Sequence, residues 1–251
     1  MKKFTSPLVF IFSAFAIVIN LGLIPVKSKV IQVNKNVVVL ELFTSQGCSS
    51  CPAADRLLGN YSKRNDIIAL SFHVDYWNRL GWKDPFSNHL FSERQQKYAS
   101  IFGKGSVYTP QLIVNGDKEM VGSDEDKISN VIKEFQKKCS SSQISIDEIK
   151  MENNKIIVMT SLKGLLKNSS LNIALVQNKI TTNIKAGENE GLQITNYNVV
   201  RRFKTINSPA AEKVTTIIDA FEGFNNKESS IIAFLQDVET NKIYTAVKSS
   251  F

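Results

Sequence analysis

Cys48 and Cys51 are the side chains of this sequence most able to do chemistry, and only Ser49 and Ser50 separate them. A thiolate is both a nucleophile and a metal ligand. Two thiols at this spacing can exchange disulfides, hold a soft metal or staple a loop. In the exchange reading, Cys48 attacks or is attacked. Cys51, about one helical turn further on, resolves the mixed disulfide.

Positioning such a pair requires a strand-to-helix junction. Val37 to Phe43 is β-branched and almost continuously apolar, as expected of a strand buried on both faces. The run stops at the turn cluster Thr44-Ser45-Gln46-Gly47, and Ala53 to Tyr61 is helix-permissive. Backbone N–H groups and the dipole at a helix start lower a thiol pKa. Pro52 leaves two helix starts open: at Cys48 with local strain, or at Pro52 with the cysteines in a loop.

Ile67 to Val74 is a second buried-strand pattern, and with the intervening helix it makes a β-α-β unit of parallel strands. Both strands then end on one edge of the sheet. This brings His73, Asp75, Tyr76, Trp77 and Trp82 toward Cys48, where an imidazole or carboxylate could tune a thiol. The plainer alternatives are a satisfied strand histidine and tryptophans that pack as a wall. Ser87 to Phe102 has the pattern of an inserted amphipathic helix, with Arg94 expected in solvent. Thr109-Pro110 opens a third strand, Asn115-Gly116 signals a hairpin between Gln111–Val114 and Lys118–Val121, and Ser123 with Asp126 caps a helix over Asp124–Lys138.

This order, with a Cys pair after the first strand and Thr109-Pro110 entering the third, resembles the thioredoxin fold. More specifically, it resembles the exported bacterial, thioredoxin-like family called domain of unknown function 1223. The strings that carry the resemblance are Glu41 to Pro52, Ser71 to Trp77, Leu80 to Phe86, Val107 to Gln111 and Gly187-Glu188-Asn189. It spans about residues 36–248. The thioredoxin resemblance implies a cis Pro110 facing the dithiol, a redox role for Cys48 and Cys51, and a contact to partner backbone at Thr109 and Pro110. The family is expected to carry a histidine where this chain has Asn196.

After Ser140-Ser141-Ser142 the texture changes to seven short apolar or alternating runs: 144–149, 155–162, 171–177, 199–206, 213–218, 231–238 and 243–247. Asn-rich turns separate several of them. The expectation is therefore an α/β thioredoxin-like domain over residues 30–140, followed by an all-β antiparallel sandwich-like domain over residues 141–251. The loop Ala186 to Gly191 either caps the thiols through Glu188 and Asn189 or is a plain hairpin connection. Gln46, in the turn before Cys48, joins the expected site.

The chain has 251 residues and a formal charge of +8. Lys2 and Lys3 precede an uncharged stretch from Pro7 to Pro25, the pattern of a signal peptide over residues 1–28; an uncleaved segment would be a membrane tether. The expected location is periplasmic or secreted, where a close dithiol rests as a disulfide. Without residues 1–28, 28 basic face 23 acidic residues, spread along the chain, which argues against a nucleic-acid partner. Cys139 ends a lysine-rich helix and is expected to be a bystander.

The leading function is thiol–disulfide exchange with protein or small-molecule thiols and disulfides, needing no cofactor. The alternatives are a soft-metal module using both thiolates with His73 as third ligand, or a protein whose Cys pair is a structural staple.

Overall fold

A computed structural model of the protein describes Met1 and residues 37–138, 140–164 and 168–251. The expected signal segment and Cys139 lie outside the described residues. Among those residues no helix is long and apolar enough to cross a membrane.

The first half contains β1 (Val38–Thr44), α1 (Cys51–Tyr61), β2 (Ile67–His73), α2 (His89–Ile101), β3 (Gln111–Val114), β4 (Lys118–Val121) and α3 (Glu125–Gln136). The second half supplies β5 (Gln143–Glu152), β6 (Lys155–Lys163), β7 (Ser169–Asn183), β8 (Gln193–Asn207), β9 (Lys213–Asp219), β10 (Ser229–Asp237) and β11 (Ile243–Ser250). All seven residues of β1 and of β2 are buried, as their apolar runs require, and the two strands pair in parallel from Val38↔Ile67 to Thr44↔His73. The β3–β4 hairpin turns at Asn115 and Gly116, both with positive φ. The cap of α3 is Asp124, whose side chain accepts from the Lys127 N–H, rather than Ser123.

The expected succession of a thioredoxin-like α/β domain and a separate all-β sandwich is not what forms. Strands from both halves build one mixed eight-stranded sheet in the order β11-β10-β7-β8-β2-β1-β3-β4. The seam is β8, which lies parallel to β2 at Ser71↔Val199 and antiparallel to β7 along most of its length. Only β5, β6 and β9 form a second, three-stranded sheet.

Burial explains the merger. Residues 169–176 of β7 and 229–236 of β10 are buried without alternation, the mark of strands covered on both faces. One face shares a core with the first half, where Phe43, Phe72, Phe91 and Tyr98 meet Val176, Val200, Ile232 and Phe234. On the opposite face, Leu171, Ile173, Leu175, Ile231 and Leu235 pack against Ile146, Ile156, Val158 and Ile218 of the small sheet. Helices α1 and α3 cover the β1–β3 end. A self-contained first domain would have left the edge of β2 and its aromatic face without partners.

Arg94 also departs from expectation. Its guanidinium is paired at 2.7 Å with the fully buried Glu41 carboxylate and donates to Gln236 at 3.0 Å. It lies 5.0–5.7 Å from the ring centroids of Phe72, Tyr98, Phe203 and Phe234. Tyr98 donates its hydroxyl to Glu41. One charge pair thus ties β1 and α2 to β10 and β8 through the middle of the molecule.

Candidate active site

Helix α1 begins at Cys51, with Ser50 at the N-cap and Pro52 at the second helical position. This resolves the two possible starts. Proline fits the first turn because its missing N–H would have had no partner there. Cys48 therefore precedes the helix, and its carbonyl accepts the Cys51 N–H at 3.2 Å. Both cysteines are free thiols, and both are buried.

Their environments push the two thiols apart. The Cys48 pKa is lowered from 9.0 to about 6, first by a hydrogen bond from the Cys51 side chain. Burial opposes this, while the Ser50 hydroxyl at 3.2 Å, Thr109 and the Ser50 backbone add to the lowering. Cys51 is raised far above the ordinary thiol range by burial, then by its bond to Cys48 and the nearby Asp55 charge. The first environment thus favours the thiolate and the second the protonated thiol.

Trp77 and Thr109 frame Cys48. The Thr109 carbonyl lies 3.9 Å from the Cys48 sulfur, Thr109–Pro110 is a cis peptide bond, and the Trp77 indole donates to the Thr109 hydroxyl at 2.8 Å. The β7–β8 loop closes over the junction. The Asn189 amide donates to the carbonyls of Gln46 and Cys48 at 2.9 Å each, and Glu188 accepts the Ser49 N–H at 3.0 Å. Gly187 allows this approach: its φ is +80°, and a Cβ there would lie 3.2 Å from that of Trp82. Gln46 is held on both sides, accepting from the Trp82 indole at 3.2 Å and donating to Asn196 at 3.1 Å. Asn196, where the resemblance suggested histidine, therefore positions the turn before Cys48. Its amide nitrogen is buried with no hydrogen-bond partner among the described residues.

His73 does not face the thiols through a hydrogen bond. Its Nδ1 is 2.7 Å from Asp84 Oδ2 in a fully buried pair, and the same oxygen accepts the Gln46 N–H at 2.8 Å. Burial pushes the imidazolium down, but the charge and hydrogen bond of Asp84 outweigh it and the His73 pKa stands raised. Burial likewise opposes ionisation of Asp84, yet His73 and the N–H groups of Gln46 and Phe86 hold its pKa low. Asp75 is turned away from the site toward α2, accepting from Ser92 at 2.6 Å and meeting His89 at 3.1 Å. Among the described residues, no group of three or more His, Cys, Asp or Glu side chains is placed to hold a metal ion.

Asp55 escaped the sequence reading. It follows Cys51 by four residues on α1, is 2% exposed, and neither carboxylate oxygen has a hydrogen-bond partner among the described residues. Burial lifts its pKa from 3.8 to about 7. His73 and Thr44 oppose that rise, although the Thr44 hydroxyl makes no hydrogen bond of normal geometry. The one signal in the sequence was an acid at the i+4 position from a cysteine, on the face carrying Ala54 and Leu58. Asp84 and Ser50 were also missed as site residues, although both lie in strings that carry the resemblance, Leu80 to Phe86 and Glu41 to Pro52; their residue types alone read as turn and cap.

No curated protein matches the chain. Among solved structures, it is similar to protein AGR_C_4864 from Agrobacterium tumefaciens, with 27% identity over 86% of this chain and 95% of that one and a TM-score of 0.67. A domain of the outer membrane lipoprotein Omp28 from Porphyromonas gingivalis aligns with 45% of this chain and 88% of its own at 21% identity; its TM-score of 0.26 is too low to define a shared fold. The model of the family described as protein of unknown function, DUF1223, matches residues 39–236, and the chain belongs to that family.

Proposed function

We propose that the protein is an exported thiol–disulfide oxidoreductase that works through Cys48 and Cys51. The observation that carries this reading is the opposed environment of two adjacent thiols, one lowered to about 6 and the other raised by burial. An inert staple gains nothing from that asymmetry, whereas stepwise exchange uses both halves of it. Export rests on the basic and apolar residues 2–28, and redox chemistry is also what the thioredoxin resemblance implies.

In the reducing direction, the Cys48 thiolate attacks one sulfur of a partner disulfide. A Cys48–partner bond forms, the partner S–S bond breaks, and the second partner sulfur leaves as a thiolate that takes up a proton. Cys51 then loses its proton and attacks the Cys48 sulfur, releasing the first partner sulfur as a thiolate. Two electrons pass to the partner, and the Cys48–Cys51 disulfide remains. Oxidation of a partner dithiol is the same sequence reversed. Asp55, whose carboxyl burial raises to about 7 and which lies on the same helix as Cys51, is the acceptor for the Cys51 proton.

Reduced protein should cleave disulfides in insulin or refold reduced ribonuclease when oxidised. Cys48→Ser should abolish both activities, and Cys51→Ser should accumulate a mixed disulfide at Cys48. Undiminished turnover in the Cys48→Ser protein sinks the proposal.

A further inference from the structure

A groove of about 590 Å³ runs along the outer face of α1, lined on one side by Pro52, Arg56 and Asn60 and on the other by Leu192, Thr195 and Tyr197 of β8 and its preceding turn. Its size is that of a ligand site. One end is Pro52, the residue after Cys51. Resting on the exchange chemistry proposed above, we infer that this groove receives an extended polypeptide segment carrying an acidic side chain near its reacting cysteine.

Three observations converge on that occupant. The first is backbone. Gln193–Tyr197 of β8 pairs with β7 on one edge, while the ladder to β2 is confined to Ser71↔Val199. Before Val199 no strand among the described residues pairs with the second edge of β8, and its Gln193, Ile194, Thr195 and Tyr197 line the groove, so an added strand has an unpaired edge to meet. The second is span. Pro52 to Asn60 covers about 12 Å of helix, the length of about four residues of extended chain.

The third is charge. Arg56 is exposed, is the one charged side chain lining the groove, and has no ion-pair or hydrogen-bond partner among the described residues. The neighbouring Asn60 adds an amide, and exposed Leu192 an apolar contact. The floor is fixed by the Tyr197 ring lying on Gly59, where an added Cβ would come within 2.5 Å of it. The chain's own residues 2–36 are a poor match, with five lysines and no acid. An extended segment with a glutamate or aspartate a few residues from its cysteine satisfies the free edge and the free cation together.

The test uses fluorescein-labelled seven-residue peptides that differ only in one glutamate or lysine, placed three residues from a cysteine or from a serine in its stead. With the full chain, anisotropy of the serine peptides reads the groove independently of thiol chemistry. The glutamate peptide should bind at least tenfold more tightly than the lysine peptide, less so at high salt, and Arg56→Glu should reverse the order. With the cysteine peptides, as disulfides of 2-mercaptoethanol, trapping on the Cys51→Ser protein should show the same order in rate. Equal binding of the two serine peptides, or a preference unchanged in Arg56→Glu, overturns the inference. Selective binding of the serine peptides with no trapping of either cysteine peptide leaves the groove standing and removes the redox reading instead.

Discussion

Replacing Asp55 with asparagine tests the part of the site that is hardest to see from outside. In the folded protein the carboxyl keeps its proton up to about pH 7 instead of releasing it at its ordinary 3.8. Between these values the folded state binds a proton that the unfolded state has lost, so stability falls as pH rises through the window. At about 1.4 kcal/mol per pH unit, the loss completed above pH 7 is about 4 kcal/mol. An asparagine does not titrate; its unpartnered buried amide costs about 1–3 kcal/mol at every pH. Urea unfolding from pH 4 to 8.5, in a Cys51→Ser background to remove the coupled thiol, should show Asp55→Asn swinging relative to its parent by about 4 kcal/mol in the variant's favour. The same substitution with both cysteines present should slow release of the mixed disulfide about 100-fold. A stability difference that stays flat with pH refutes the perturbed carboxyl, and an unchanged release rate refutes its role as proton acceptor.

Two further outcomes follow from other parts of the molecule. The rate of Cys48 alkylation by iodoacetamide should rise with a midpoint near pH 6. Ser50→Ala should move it upward, because the hydroxyl that contacts the sulfur is gone; a midpoint near the ordinary thiol value in the parent protein would contradict the site's electrostatics. Glu41→Ala leaves Arg94 buried among aromatic rings without its carboxylate. It should lower unfolding stability by about 3–5 kcal/mol, and a loss under 1 kcal/mol in urea titration would show that this pair does not hold the two halves together.

Local chemistry made much of the molecule legible in the sequence. The apolar runs gave β1 and β2, Asn115-Gly116 the hairpin, and the stripe of Ile128, Ile132 and Phe135 the helix α3. The seven later strands were readable in number and approximate place from their apolar filling, but β7 and β8 run to 15 residues each, about twice the runs 171–177 and 199–206, because their mostly polar outer arms carry little apolar signal. The Cys pair and its strand-to-helix junction were visible because proline and a tight turn act within a few residues.

What the sequence did not decide was what pairs with what. An alternating run and a continuous apolar run both say strand; the continuous runs Ile173–Val176 and Ile231–Leu235 are covered on both faces in the structure. β6 shows why this sign was not decisive: Ile156-Ile157-Val158-Met159 is also continuously apolar, yet its burial alternates, so only the structure separates it from the strands that join the first sheet. The burial of Asp55 and the partners of His73 and Arg94 came only from tertiary structure. Burial sets whether a carboxyl is charged at pH 7, and burial depends on which elements stack over it. The loop bearing Glu188 and Asn189 lies about 140 residues from Cys48 in the chain yet hydrogen-bonds to it and to its neighbours. A β-hairpin on the merged sheet carries it there, so that contact was decided by strand order and not by any pattern along the chain.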